Sequence, residues 1–153
     1  MTGAEMRAFI TARLAAPEPS GPRPAGDFGY QPELRAQLAA GRPFTPAAVL
    51  GPLFEREEEL HVLLTRRADH LSNHAGQISF PGGRVDPVDP HPVETALREA
   101  EEEIALDRDY VDVAGQLSPY YSGTGFTITP VVGFLKDGFS VAPSEAEVAE
   151  IFD

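Results

Sequence analysis

The sequence predicts an α/β (α+β) fold, a sandwich around a mixed sheet, on three observations. Apolar runs of strand length lie on both sides of one long amphipathic helical segment, and the other helical patterns are short. No repeat divides the 153 residues, which suit one domain with a small appendage. A chain of that length buries roughly 70% of its unfolded surface, so folding requires neither disulfide nor structural metal.

Within residues 3–16, Met6, Phe9, Ile10 and Leu14 recur at helical spacing and predict a short amphipathic helix. The stretch PEPSGPRPAGDFGYQP (17–32) is half proline and glycine and reads as an extended connection. Pro32-Glu33 opens a second short helix through Leu38, closed near Gly41. Residues 1–42 are thus expected to be a helical, Pro/Gly-rich extension packed on a domain of residues 43–153. In that domain AAVLGPLF (47–54) and LHVLLT (60–65) read as strands joined by EREEE (55–59), a solvated hairpin tip. GQISFPGGRV (76–85) reads as a short strand and a glycine loop. A helix is expected from Asp89-Pro90 to about Leu106. YVDVAGQL (110–117) and TITPVVGFL (127–135) read as further strands. SEAEVAEIF (144–152) starts a helical pattern that the chain cuts short, so a missing C-terminal piece is expected.

Composition narrows the function. With 24 Asp+Glu against 12 Lys+Arg the formal charge is −12, which disfavours nucleic acid and anionic membrane surfaces as partners. The absence of cysteine excludes disulfides, thiolate zinc sites and thiol nucleophiles. The N-terminus lacks the apolar core of a signal peptide and no stretch reaches the length of a membrane span, so a cytoplasmic location is expected.

The most informative segment is ETALREAEEEIAL (94–106). At about 100° per residue, Glu103 and Glu102 fall within about 60° of Glu99, on either side of it. Val93, Ala96, Leu97, Ala100 and Ile104 form a separate apolar stripe. Like charges at these spacings each cost roughly 0.2–0.5 kcal/mol. A divalent cation turns that repulsion into attraction, since carboxylate oxygens are hard ligands suited to Mg²⁺ or Mn²⁺. A solvated acidic face is the alternative. Upstream, Phe80-Pro81-Gly82-Gly83 offers paired glycines, which permit close backbone approach to a ligand or metal.

Together, GGRVDPVDPHPVETALREAEEEIAL resembles the Nudix box, G-x5-E-x7-R-E-U-x-E-E-x-G-U with U aliphatic. Arg98, Glu99, Ala100, Glu102 and Glu103 fit its core. Asp89 stands in place of the first Glu, one extra residue precedes Arg98, and Ala105 replaces the usual Gly before Leu106. The preceding LLTRRADHLSNHAGQISFPGG (63–83) is similar to the signature of the coenzyme A pyrophosphatase branch of that family. Leu63, Leu64, Thr65, Arg66, Leu71, His74, Gly76, Gln77, Phe80, Pro81, Gly82 and Gly83 carry the likeness. Later, Gly125-Phe126 and Thr129-Pro130-Val131-Val132 add to it.

The resemblance implies a Nudix-like α/β/α sandwich that hydrolyses the pyrophosphate of coenzyme A and its derivatives to 3′,5′-ADP and 4′-phosphopantetheine species. It also implies Mg²⁺ or Mn²⁺ on Glu99, Glu102 and Glu103, with Glu102 either a ligand or a base acting through water. The Gly83 carbonyl is a further ligand, and Arg98 orients the carboxylates. Arg66, His74, Gly82 and Gly83 are the implied substrate-binding residues. Arg66 and Arg67 follow a strand, so one of them is expected to meet the substrate's phosphates, the alternative being an ion pair with Asp69 or the acidic turn 55–59, and Glu145 and Glu147 are candidates for the general base. His70 and His74 lie four apart without a third zinc ligand. Phe80 is expected in the core, with stacking on adenine as the alternative, and Ser122-Gly123-Thr124-Gly125, flanked by Tyr120, Tyr121 and Phe126, reads either as a cover for the site or as a plain turn. Hydrolysis of ADP-ribose or NADH, or a silent binding module of the same fold, are the competing functions.

Overall fold

The computed structural model describes residues 1–16 and 25–153. In chain order its elements are α1 (Gly3–Ala15), β1 (Ala25–Gly26), α2 (Glu33–Ala39), β2 (Thr45–Arg56), β3 (Glu59–Val62), β4 (Leu64–Arg67), β5 (Ile78–Ser79), β6 (Gly82–Arg84), α3 (Pro92–Ile104), β7 (Val111–Gln116), β8 (Tyr120–Tyr121), β9 (Phe126–Leu135) and β10 (Val148–Phe152). The larger sheet is mixed. In it β2 and β9 run parallel from Thr45↔Phe126 to Leu53↔Phe134, and β3, β6, β7 and β8 add antiparallel partners. A smaller antiparallel sheet is ordered β10-β4-β5.

Alternation along β2 and β9 assigns the two faces. Ala48, Leu50 and Val131 are fully buried and join Ala96, Ala100 and Ile104 of α3 in the core. Leu53 and Phe134 point the other way, toward α1, whose Arg7 guanidinium lies 4.6 Å from the Phe134 ring centroid. The sheet therefore lies between helices, as the sequence predicts. The α1 helix is closed by a capping box between Thr2 and Glu5 and packs on β7 and β3. Among the described residues, no helix is long and apolar enough to cross a membrane.

Several expectations are corrected. SEAEVAEIF does not form a helix: after a turn at 145–147, Val148–Phe152 pairs antiparallel with β4. Its Ala and Glu favour helix only weakly, and cross-strand pairing with burial of Val148 overrides them. LHVLLT is not one strand. It breaks at Leu63, so that β3 completes the hairpin with β2 while β4 begins the smaller sheet. The hairpin tip is Glu57-Glu58, both at positive φ. The connection 17–32 lies outside the described residues up to 24, and its remainder holds β1 and a 3-10 turn at Asp27–Gly29 instead of a simple extended run. The expected glycine loop is itself strand β6, hydrogen-bonded to β2. Phe80 is 40% exposed and not in the core. Ile78 and Phe80 alternate outward, while Pro81 is buried between β5 and β6.

Candidate active site

Helix α3 starts later than the sequence suggests, at Pro92, with His91 as N-cap accepting from the Glu94 N–H. Proline at the first position costs no hydrogen bond there. The helix ends on Ala105 in the left-handed conformation, φ 52°, where the family pattern has glycine. The alanine thus keeps the turn that glycine ordinarily supplies.

The three helix carboxylates have graded environments. Glu103 is 6% exposed, and its Oε2 accepts the Gly82 N–H at 3.2 Å. Burial pushes its carboxyl up to about 8, the charges of Glu99 and Glu147 add to the rise, and the Gly82 N–H and Arg67 oppose it. Glu99 is half-buried and also raised, first by burial and next by the charge of Glu102, against the pull of Arg98. Glu102 is exposed. Edge strand β6 runs against this group. A Cβ on Gly83 would lie 2.6 Å from the Glu99 carboxylate, and one on Gly82 would lie 2.4 Å from the Ala48 carbonyl oxygen. The paired glycines therefore permit strand and acidic helix to touch.

Arg98 ties the group together. Its Nε and Nη2 donate to both Asp89 oxygens at 3.1 and 2.9 Å, Nη1 reaches Glu99 at 3.1 Å and Glu102 at 3.3 Å, and Nη2 also donates to the Arg84 carbonyl at 3.2 Å. Asp89 further accepts from the Thr95 hydroxyl and the Asp86 N–H, both at 2.9 Å. Arg98 first, then the Asp86 amide, holds the Asp89 carboxyl well below the usual carboxylate range. Asp89 is thus the anchor of Arg98, a role the sequence comparison does not disclose because the residue stands where the family has Glu.

The remaining predicted residues divide. Glu147 belongs to the electrostatic group of Glu99 and Glu103. Its turn is pinned to the helix end by Ser144 N–H to the Glu103 carbonyl, and to β4 by Ala68 N–H to the Glu147 carbonyl. Glu145 is exposed. Arg66 is engaged by Asp69 at 3.2 Å and Glu150 at 3.5 Å. Arg67 is the guanidinium that acts on Glu103, and its Nε is buried without a hydrogen-bond partner. His74 is exposed at positive φ in the loop after β4, and His70 bonds to the Ala146 carbonyl at 2.9 Å. The loop 122–125 is a braced turn: Gly123 N–H donates to Asp27 at 2.7 Å and Phe126 N–H to Ser122 Oγ at 3.0 Å. Among the described residues, no three carboxylate or imidazole groups already converge on one point.

The NUDIX domain model matches residues 44–151. An uncharacterized Nudix hydrolase NudL of Yersinia enterocolitica is 52% identical over 107 residues, 70% of this chain and 54% of that protein. The Yersinia pestis counterpart is 49% identical over 107 residues, covering 70% and 53%. The chain thus spans about half the length of these relatives. Among solved structures, a Caenorhabditis elegans Ap4A hydrolase superposes with TM-score 0.58 at 19% identity, covering 71% of this chain and 77% of that one. The NUDIX domain of Shewanella oneidensis NrtR, solved with ADP ribose, gives 0.54 at 20%, covering 77% and 80%. These two likenesses concern the fold. The site is built from the carboxylates, glycines and arginine of the matched domain, and the chain belongs to the Nudix family.

Proposed function

We propose that this chain is the hydrolytic domain of a metal-dependent Nudix pyrophosphohydrolase that cleaves the pyrophosphate bond of coenzyme A and its derivatives. The products are 3′,5′-ADP and a 4′-phosphopantetheine species. The observation that carries the reading is the buried contact of Glu103 and Glu99 with the Gly82-Gly83 strand, steered by a guanidinium that Asp89 fixes. Support for coenzyme A over other diphosphates comes from the 63–83 signature.

The donor set suits a hard divalent cation. Two carboxyls are raised by burial and by neighbouring charge, and the nearest guanidinium is already shared among four acceptor groups. Glu99 and Glu103, with Glu102 and the Gly83 carbonyl, would hold Mg²⁺ or Mn²⁺. Such an ion neutralises the diphosphate and lowers the pKa of a bound water. Arg98 keeps Glu99 and Glu102 turned to the same side. Gly82 N–H fixes one oxygen of Glu103 and leaves the other for a ligand. Glu147, exposed and coupled to both carboxylates, is the candidate to accept the proton of the attacking water.

Incubation of the protein with coenzyme A and Mg²⁺ or Mn²⁺, followed by product analysis, tests the proposal. The expected products are the two phosphorylated halves, and Glu103→Gln should abolish turnover in a folded protein. Faster cleavage of ADP-ribose or NADH than of coenzyme A would overturn the substrate assignment. Turnover unchanged in Glu103→Gln would overturn the site.

A further inference from the structure

The 12 cationic residues serve a chain with 24 carboxylates, and those around the acidic helix are mostly saturated. Arg98 is held by Asp89, Glu99 and Glu102, and Arg108 by Glu94 and Glu101. Arg84 differs. It directly follows Gly83 and is exposed, yet among the described residues no carboxylate pairs with it. Its guanidinium carbon lies 5.5 Å from the centroid of the Phe126 ring.

Strand alternation decides what it can reach. Gly83, opposite Ala48, faces Glu99 and α3. Arg84, opposite Ala47, therefore faces the other side of the sheet, which it shares with Ile128 and, two residues earlier, Phe126. On that face Val49, Ile128 and Pro130 are half-buried. With the Phe126 ring beside it and no carboxylate paired to it, the guanidinium keeps N–H donors for a phosphate, the group its fork matches. The shelf is firm, because Phe126 N–H is held by Ser122 and the turn before it by Asp27.

We infer that Arg84 on Phe126 forms a subsite for a phosphate monoester of the substrate, remote from the bond that is cleaved. The cleaved diphosphate belongs to the carboxylate face, one residue away across the edge strand. The inference rests on the proposed function, in which the adenosine 3′-phosphate of coenzyme A is that group.

Calorimetric titration with 3′,5′-ADP and with 5′-AMP tests the subsite without turnover. The wild type should bind 3′,5′-ADP about 10–100-fold more tightly, the range of one lost charge-assisted hydrogen-bond set. Arg84→Ala should erase that preference, and Arg84→Lys should retain part of it. The ratio of kcat/KM for coenzyme A to that for 3′-dephospho-coenzyme A should fall by a similar factor in Arg84→Ala, mainly through KM. A preference that survives Arg84→Ala, or is absent from the wild type, overturns the subsite even if coenzyme A is cleaved. A preference that Arg84→Ala erases, in a protein that leaves coenzyme A intact, upholds the subsite and overturns the proposed function.

Discussion

Replacing Glu103 by Gln should stabilise the metal-free protein at neutral and alkaline pH. The carboxyl rises from its ordinary 4.5 to about 8 on folding, with burial as the first cause. Between those values the folded state binds more protons than the unfolded state, so stability falls as pH rises through the window. At about 1.36 kcal/mol per pH unit, the penalty above pH 8 approaches roughly 5 kcal/mol as a ceiling. Below pH 4.5 it vanishes. Glutamine has the same shape and keeps an oxygen for the Gly82 N–H at 3.2 Å without the buried charge. Urea denaturation of wild type and Glu103→Gln in chelator, from pH 4.5 to 9, is the assay. The two curves should diverge as pH rises, the variant becoming more stable by about 2–5 kcal/mol at pH 9. Mg²⁺ should then raise the wild-type midpoint and leave the variant's unmoved. Parallel pH dependences would refute the account, since they would mean that Glu103 carries no burial penalty.

Further outcomes follow from other contacts. Asp89→Asn removes the charge that fixes Arg98 and should weaken Mg²⁺ binding by about 10–100-fold, measured by metal-dependent thermal shift, with little change in helix content by circular dichroism. Gly83→Ala meets only the movable end of Glu99, so it should fold yet lose metal-dependent turnover, whereas Gly82→Ala meets the Ala48 backbone and should lower the melting temperature sharply. Ala105→Gly relieves the left-handed cap at φ 52° and should stabilise the protein by about 0.5–1 kcal/mol in urea.

What could be read in the sequence depended on how local its cause was. The acidic helix, its apolar stripe and the glycine pair are set within about 25 residues, and their periodicity was readable. The C-terminal strand was not, because AEVAEIF has helical composition and becomes β10 only by finding β4, some 80 residues earlier. A separation of 44 residues likewise concealed the electrostatic link of Glu147 to Glu103. Arg66 and Arg67 are indistinguishable by type, and only strand alternation in β4 turns one toward Asp69 and Glu150 and the other toward Glu103. The wheel grouped three glutamates on one face, but it could not foresee that β6 would bury one of them.

The parallel register of β2 with β9 joins Thr45 to Phe126 across the whole motif-bearing stretch. Glu99, Glu102 and Glu103, the carboxylates proposed to hold the metal, all lie inside that loop, whose closure costs roughly 4 kcal/mol beyond a constant term. A peptide spanning the glycines and the acidic helix would therefore possess the ligands and lack the scaffold. Its glutamates would remain hydrated, with ordinary acidity and no common orientation. The proposed metal site therefore depends on strands far apart in the chain as much as on the segment that carries its carboxylates.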